Sequence, residues 1–256
     1  MRADLYHRTI VMTLIALLGV PILATLLYAL ADHWGATILP EGLTLAWFSA
    51  VWQEPRFLLA FGHSLLIIAA TLVASLLLIV PATWVIFYYF PQLDRWMKLL
   101  IVVHFALPPV VSSVGLLQLY ADGPIPLVGT PWILIGTYVT IALPFLYQAL
   151  ANGLNGIAMH ALMDAAHLLG ASTTTACIQI ILPSVRKGLM TALFLIFSLL
   201  LGEFVFANML VGGRYETLNV YLYSLRNGSG HVSSAVVMSY FFFMLGVTWI
   251  ATRLSR

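Results

Sequence analysis

Long apolar runs separated by short polar stretches dominate this chain. Six of them cover roughly residues 9–31, 61–88, 98–120, 131–153, 189–211 and 232–252. A run of about 20 residues or more lets a helix, rising 1.5 Å per residue, cross a hydrocarbon core of about 30 Å. The ten-residue alternation of a membrane β-barrel is absent. The pattern predicts an all-α, polytopic membrane helix bundle with about six transmembrane helices. All of residues 1–256 read as a single transmembrane domain, with no internal repeat, low-complexity stretch or soluble domain.

Composition agrees. Hydrophobic residues make up 62% and charged ones 8%, against about 25% charged in a soluble domain. Disorder is excluded, because it needs low hydrophobicity and high charge. The single cysteine, Cys177, rules out an internal disulfide and a multi-thiolate metal site. The seven histidines are scattered without metal-ligand spacing. A net charge of +2 gives no reason to expect nucleic acid as a partner.

Where the charges fall matters more than their sum. With the N-terminus in the cytoplasm, Arg2, Arg8, Arg95, Lys98, Arg186, Lys187, Arg253 and Arg256 lie at cytoplasmic ends, 8 of the 11 basic residues. Arg56, Arg214 and Arg226 remain outside, together with Asp32, Glu41, Glu54, Asp122 and Glu216. The excess of basic residues in cytoplasmic loops favours this orientation, with both termini in the cytoplasm. Trp34, Trp52 and Trp132 fall at outer edges, and Trp96 and Trp249 at inner ones, as interfacial belts require. Arg2 and Arg8 before the first run, with Ala29-Leu30-Ala31 after it, also fit a signal peptide. The run from Ile10 to Leu30 exceeds the usual apolar region of about 7–15 residues, so we expect a retained helix. Pro21, Pro81, Pro108, Pro109 and Pro144 interrupt the spans. They read first as packing kinks, and Pro108-Pro109 secondarily as carbonyls opened toward a solute path.

The longest cytoplasmic connection runs from about 154 to 187. A structureless loop of that length is uncommon unless it has a function. Its first part is a short helix-forming run. Gly170 suits a left-handed cap, Ser172 an N-cap, and Pro183 the next boundary. Two short helices with a tight turn follow from this. Leu162, Ala165, Ala166 and Leu169 would form an apolar stripe that needs a partner.

The same loop reads Asp164-Ala165-Ala166, three residues, Gly170, nine residues, Ile180, one residue, Leu182-Pro183. It resembles the cytoplasmic signature of type I ABC-importer permeases, departing only in Asp164 for the usual Glu. Chain size, six spans, the loop's position and Pro144-Phe145 in the fourth span extend the resemblance over nearly the whole chain. The resemblance implies the type I ABC importer permease fold and a coupling helix that docks on a cytoplasmic ATPase. Two ATPase copies would drive the permease halves between inward- and outward-facing states, and a periplasmic solute-binding protein would deliver the solute. A second copy of this permease or, as the resemblance suggests, a different permease chain would complete the pathway in the bacterial inner membrane. An ordinary surface-lying helix would be rich in Lys and Arg, and the run from Ala161 to Gly170 contains neither.

No P-loop exists, since Lys98 precedes Leu99 and Lys187 precedes Gly188. The chain is therefore read as a transporter subunit and not an enzyme, without cofactors of its own. ATP and Mg would be bound by the partner ATPase. For the solute path, Glu203 leads, because a charge at mid-span is functional or paired. A structural hydrogen bond to a neighbouring helix is its other reading. His104, Ser112, Ser113, Tyr138 and Asn208 are weaker candidates, as is Gln118. Asn208 would lie about 140° around an uninterrupted helix from Glu203. Leu201-Gly202-Glu203-Phe204 resembles a fifth-helix motif of importers for oxyanions, phosphonates and iron, so an inorganic oxyanion or iron remains an alternative cargo. Residues 39–48 resemble the first periplasmic segment of the spermidine/putrescine and 2-aminoethylphosphonate branch, which narrows the solute to a small polar organic ion. Asn227-Gly228-Ser229 fits both a glycosylation sequon and a tight turn. A stand-alone secondary carrier would show matching halves, and none is found. An intramembrane hydrolase built on His63, Ser64 and Ser113 lacks a nucleophile elbow, and adjacent residues do not face each other on a helix.

Overall fold

The computed structural model describes residues 2–254 except 36, 38 and 123. Arg256 and the side chain of Arg2, two of the cations that orient the chain, lie outside the described residues. Helices dominate: α1 (Arg2–Leu30), α2 (Ala46–Gln53), α3 (Pro55–Tyr89), α4 (Leu93–Ala106), α5 (Pro109–Tyr120) and α6 (Pro131–Asn155). They continue as α7 (Met159–Leu168), α8 (Thr173–Ala176), α9 (Leu182–Leu201), α10 (Leu218–Ser224) and α11 (Gly230–Leu254). Among the described residues, five helices are long and apolar enough to cross a membrane, or six if the bent pair α4–α5 counts as one span.

Three sequence expectations are corrected. The third span is not one helix. α4 and α5 meet at 96°. Each proline pushes its predecessor out of the helical region. Leu107 (φ −88°, ψ 118°) and Pro108 (φ −60°, ψ 138°) are accordingly extended. The bend is far beyond a packing kink, and Pro108 and Pro109 lack the N–H groups that would close helical bonds to the carbonyls of His104 and Phe105, while their own carbonyls are used within α5. Pro108 O accepts from the Ser112 N–H (3.1 Å) and Pro109 O from the Ser113 hydroxyl (2.8 Å).

The second correction concerns the fifth span, which is not 189–211. A 29-residue helix runs from Thr173 to Leu201, and the chain breaks at Gly202–Phe204. In the third, Pro183 ends nothing. The turn before it widens to a π-helix over Cys177–Ile181, where the Leu182 N–H reaches the Cys177 carbonyl. A wider turn accommodates the proline ring without breaking the helix.

The chain divides into two compact units. The first joins residues 1–59 to 221–247. In it a small hairpin pairs β1 (Ala31–His33) with β2 (Glu41–Leu43), Ala31 opposite Leu43 and His33 opposite Glu41. The Trp47 indole donates to Ala31 O (2.9 Å), and His231 stacks between Tyr28 (4.3 Å) and Trp47 (5.5 Å). Asn227–Ser229 belongs to a tight turn, with the Gly228 N–H on Leu225 O (2.8 Å).

The second unit, residues 60–220 and 248–256, holds the longer core. There α6 packs along α9. The contact is close because Gly153 has no side chain: a Cβ would meet Val185 Cγ1 at 2.9 Å. Leu146, Tyr147, Met163 and Ile196 are fully buried beside it.

Candidate functional site

The loop between α6 and α9 folds as a projecting knob. A turn over 156–158 leads into α7, which buries Met159, Met163 and Ala166. Its end is a Schellman motif: the Gly170 N–H bonds His167 O (2.9 Å) and the Ala171 N–H bonds Ala166 O (3.0 Å). Gly170 takes φ +82°, the left-handed conformation anticipated for it. Ser172 caps α8 through Thr175 N–H to Ser172 Oγ (3.2 Å), and the His167 and Thr173 side chains meet at 3.2 Å. The knob is therefore held by hydrogen bonds within the short stretch 166–175.

The apolar stripe expected on α7 is divided differently. Ala166 is buried, Leu162 is half-buried and Ala165 is exposed. Leu168 and Leu169 are each 89% exposed. The unpartnered surface is thus the tip (Asp164, Ala165, Leu168, Leu169), while Ala166 faces the unit's own core. Of the later motif positions, Ile180 and Leu182 are half-buried and Pro183 is exposed. Ile181 and Val185 anchor that stretch in the core.

The second locus is the break after α9. Backbone groups freed at the break need other partners where they are buried. Two side chains supply most of them. Glu203 accepts from the N–H groups of Phe206 (Oε1, 2.8 Å) and Ala207 (Oε2, 3.1 Å), capping the helical turns that restart at Val205. Asn219 Nδ2 donates to the carbonyls of Leu201 (2.8 Å) and Glu203 (3.0 Å). The Tyr138 hydroxyl, from α6, donates to Glu203 Oε2 at 2.7 Å.

Of the candidate path residues, the structure brings Glu203 and Tyr138 together and not the rest. Asn208 is exposed beyond the break. Ser113 is fully buried and bonded to Pro109 O. Ser112 and His104 sit half-buried on α5 and α4. Sequence reasoning missed Asn219 and the Ser64–Leu218 contact, in which Ser64 Oγ accepts from the Leu218 N–H (2.8 Å). A polar residue just past a Gly202-Glu203 break was the available signal for Asn219.

His63, Ser64 and Ser113 are not assembled for hydrolysis. His63 Nδ1 faces Glu216 O at 3.0 Å and the ring stacks on Tyr215 at 4.0 Å. Burial pushes the Tyr215 phenol above its ordinary value. No group of three potential metal ligands occurs among the described residues.

Membrane-length helices and a helical knob with an exposed apolar tip make the chain a multi-span membrane protein. It belongs to the family of binding-protein-dependent transport system inner membrane components, whose sequence model matches residues 79–256. Relatives include the putative 2-aminoethylphosphonate transport system permease protein PhnV of Salmonella typhimurium. That protein is 27% identical over 227 residues, covering 86% of this chain and 81% of the relative. The spermidine/putrescine transport system permease protein PotC of Escherichia coli is 29% identical over 193 residues, 72% of this chain and 69% of the relative. Two solved structures share the fold. A bacterial ABC transporter importing the acidic polysaccharide alginate superposes with a TM-score of 0.76 at 14% identity, covering 98% of this chain and 96% of that one. The inward-facing MetNI methionine ABC transporter gives 0.62 at 18% identity, with 80% and 98% covered. The chain is an ABC importer permease subunit and not an enzyme. Its family implies an ATPase and a solute-binding protein as partners.

Proposed function

We propose that this permease serves an importer for a small polar organic ion of the polyamine or phosphonate type, coupled to its ATPase through the 164–183 loop. The rigid tip at Leu168-Leu169, 89% exposed at both residues, carries the reading. Apolar side chains held that far into solvent mark an interaction site, and the buried Met159, Met163 and Ala166 root the knob in the transmembrane body. Asp164, Ala165 and Gly170 stand beside the tip as the charged and close-approach positions, with Ile180, Leu182 and Pro183 leading back to the span. The finer assembly is two ATPase copies, a second and unlike permease, and a periplasmic solute-binding protein. The chain lies in the inner membrane with both termini cytoplasmic, and it holds no cofactor of its own, ATP and Mg residing on the ATPase. The relatives' cargoes, 2-aminoethylphosphonate and spermidine/putrescine, support the solute class. Glu203 serves the pathway by shaping the broken fifth span, with Tyr138 as its partner. His104, Ser112, Ser113 and Asn208 remain candidate solute contacts.

The test is gentle extraction of the tagged chain from its native membrane, with its stoichiometric companions identified by mass spectrometry. A P-loop ATPase and a second permease are expected. Recovery of the chain alone under several mild conditions would overturn the coupling assignment.

A further inference from the structure

Beside the break after α9 lies a small cavity lined by Ser64, Ile67, Ile68, Tyr138, Leu200, Glu203 and Thr217. It leaves about 10 Å³ for the centre of a water-sized sphere, room for a single molecule. Thr217 is 4% exposed, and its hydroxyl has no hydrogen-bond partner in the protein. A buried hydroxyl without a partner is costly, so such groups are normally satisfied by protein or by ordered water. Three other buried hydroxyls of the helices, those of Thr83, Ser113 and Thr137, are satisfied locally, whereas those of Thr71 and Ser75 also have no protein partner. Thr83 and Thr137 each donate to the carbonyl four residues back. Thr217 precedes α10 and has no such carbonyl in reach.

The cavity's other polar groups have capacity to spare. Ser64 Oγ accepts from the Leu218 N–H, which leaves its proton to donate. The Glu203 carboxyl receives three hydrogen bonds, from Tyr138, Phe206 and Ala207, out of roughly four acceptor positions. A buried water typically makes about three hydrogen bonds. Ser64, Thr217 and Glu203 offer that number of partners around a space of that size.

We propose that this cavity holds one ordered water molecule bonded to Thr217, Ser64 and the Glu203 carboxyl. The water fastens α3 and the segment before α10 to the break in the fifth span. It complements the direct clasp of Glu203 and Asn219, and it stands independently of the solute the transporter carries. Ile67, Ile68 and Leu200 line the cavity's apolar side.

Two measurements on the assembled transporter in lipid nanodiscs test this. The first is a map resolving other buried waters. We expect a peak within hydrogen-bond distance of Thr217 Oγ1, lost in Thr217→Val. An empty cavity in such a map overturns the proposal, as does a peak that disappears when sodium is left out of the buffer, which would mark a cation. The second is thermal unfolding. If the water is bound, Thr217→Val removes its anchor and the melting temperature falls by about 2–4 °C, while Thr217→Ser retains more of it. If the hydroxyl is an orphan, the nearly isosteric Val removes a penalty, and an unchanged or raised melting temperature overturns the proposal.

Discussion

At the residue scale the decisive groups are those whose local geometry admits few substitutes. Gly170 is one. At φ +82° a residue with a Cβ is strained by about 1–2 kcal/mol, although nothing lies within 4 Å of the Cβ position. Strain and not space therefore limits the site. Gly170→Asn, which tolerates the left-handed region, should keep ATPase coupling, and Gly170→Val should impair it at unchanged membrane abundance. Equal uptake by the two variants would remove the turn from the mechanism. Tyr138 is the other residue with a clear expectation. Tyr138→Phe deletes the 2.7 Å bond to Glu203 but leaves both backbone donors on the carboxyl. A loss of about 0.5–1.5 kcal/mol in unfolding free energy is expected, read by denaturant titration of the purified protein. Glu203→Ala should cost more, because it also orphans the N–H groups of Phe206 and Ala207. Equal destabilisation by the two changes would contradict the capping role. The glycine was legible in the sequence, since only it could close a turn between an Ala-rich helix and Ser172. The Tyr138–Glu203 pair was not, because its members stand 65 residues apart and no local pattern links them.

Elements divide along the same line. Periodic and punctuated features were readable: apolar lengths marked the five spanning helices and the α4–α5 region, and the cap residues marked the end of α7 and the start of α8. Features that depend on how strain is absorbed were not. Pro183 and Pro108-Pro109 look alike as punctuation, yet one is accommodated by a π turn and the other bends the chain by 96°. The two consecutive prolines leave Leu107 and Pro108 extended, while Pro183 follows a wider turn with Leu182 still helical. On α7 the period alone could not say which apolar residues face inward. The structure assigns Met163 to the core, at 0% exposed, and Leu168 to solvent, at 89%. This yields opposite expectations for the two faces of one helix. Leu168→Ser with Leu169→Ser should leave the melting temperature nearly unchanged, since little burial is lost, and should weaken retention of the ATPase during purification. Met163→Ala should lower stability by about 2–5 kcal/mol, as large-to-small changes in cores do. If the double serine variant instead melts early and keeps its ATPase, the tip is packing within this chain rather than docking surface.

For the whole molecule, the remaining quantity is direction across the membrane, and charge argues it. The basic ends Arg8, Arg95, Lys98, Arg186, Lys187 and Arg253 share one predicted side with the 164–183 loop, so a cytoplasmic ATPase and the basic-residue excess demand the same orientation by unrelated reasoning. Some of these charges also have local work: Lys98 pairs with Asp94 at 2.6 Å on α4, and Arg253 lies over the Trp249 ring at 4.8 Å. Cys177 is the only cysteine, so Cys177→Ser gives a clean background for labelling. In that background a cysteine at exposed Leu168 should react with a membrane-impermeant maleimide only after the cells are opened. A cysteine at exposed Glu41, on the β1–β2 hairpin, should react in spheroplasts without lysis. Reversal of this pattern would place the knob outside the cell, where no ATP-driven subunit could reach it, and would sink the coupling mechanism along with the orientation.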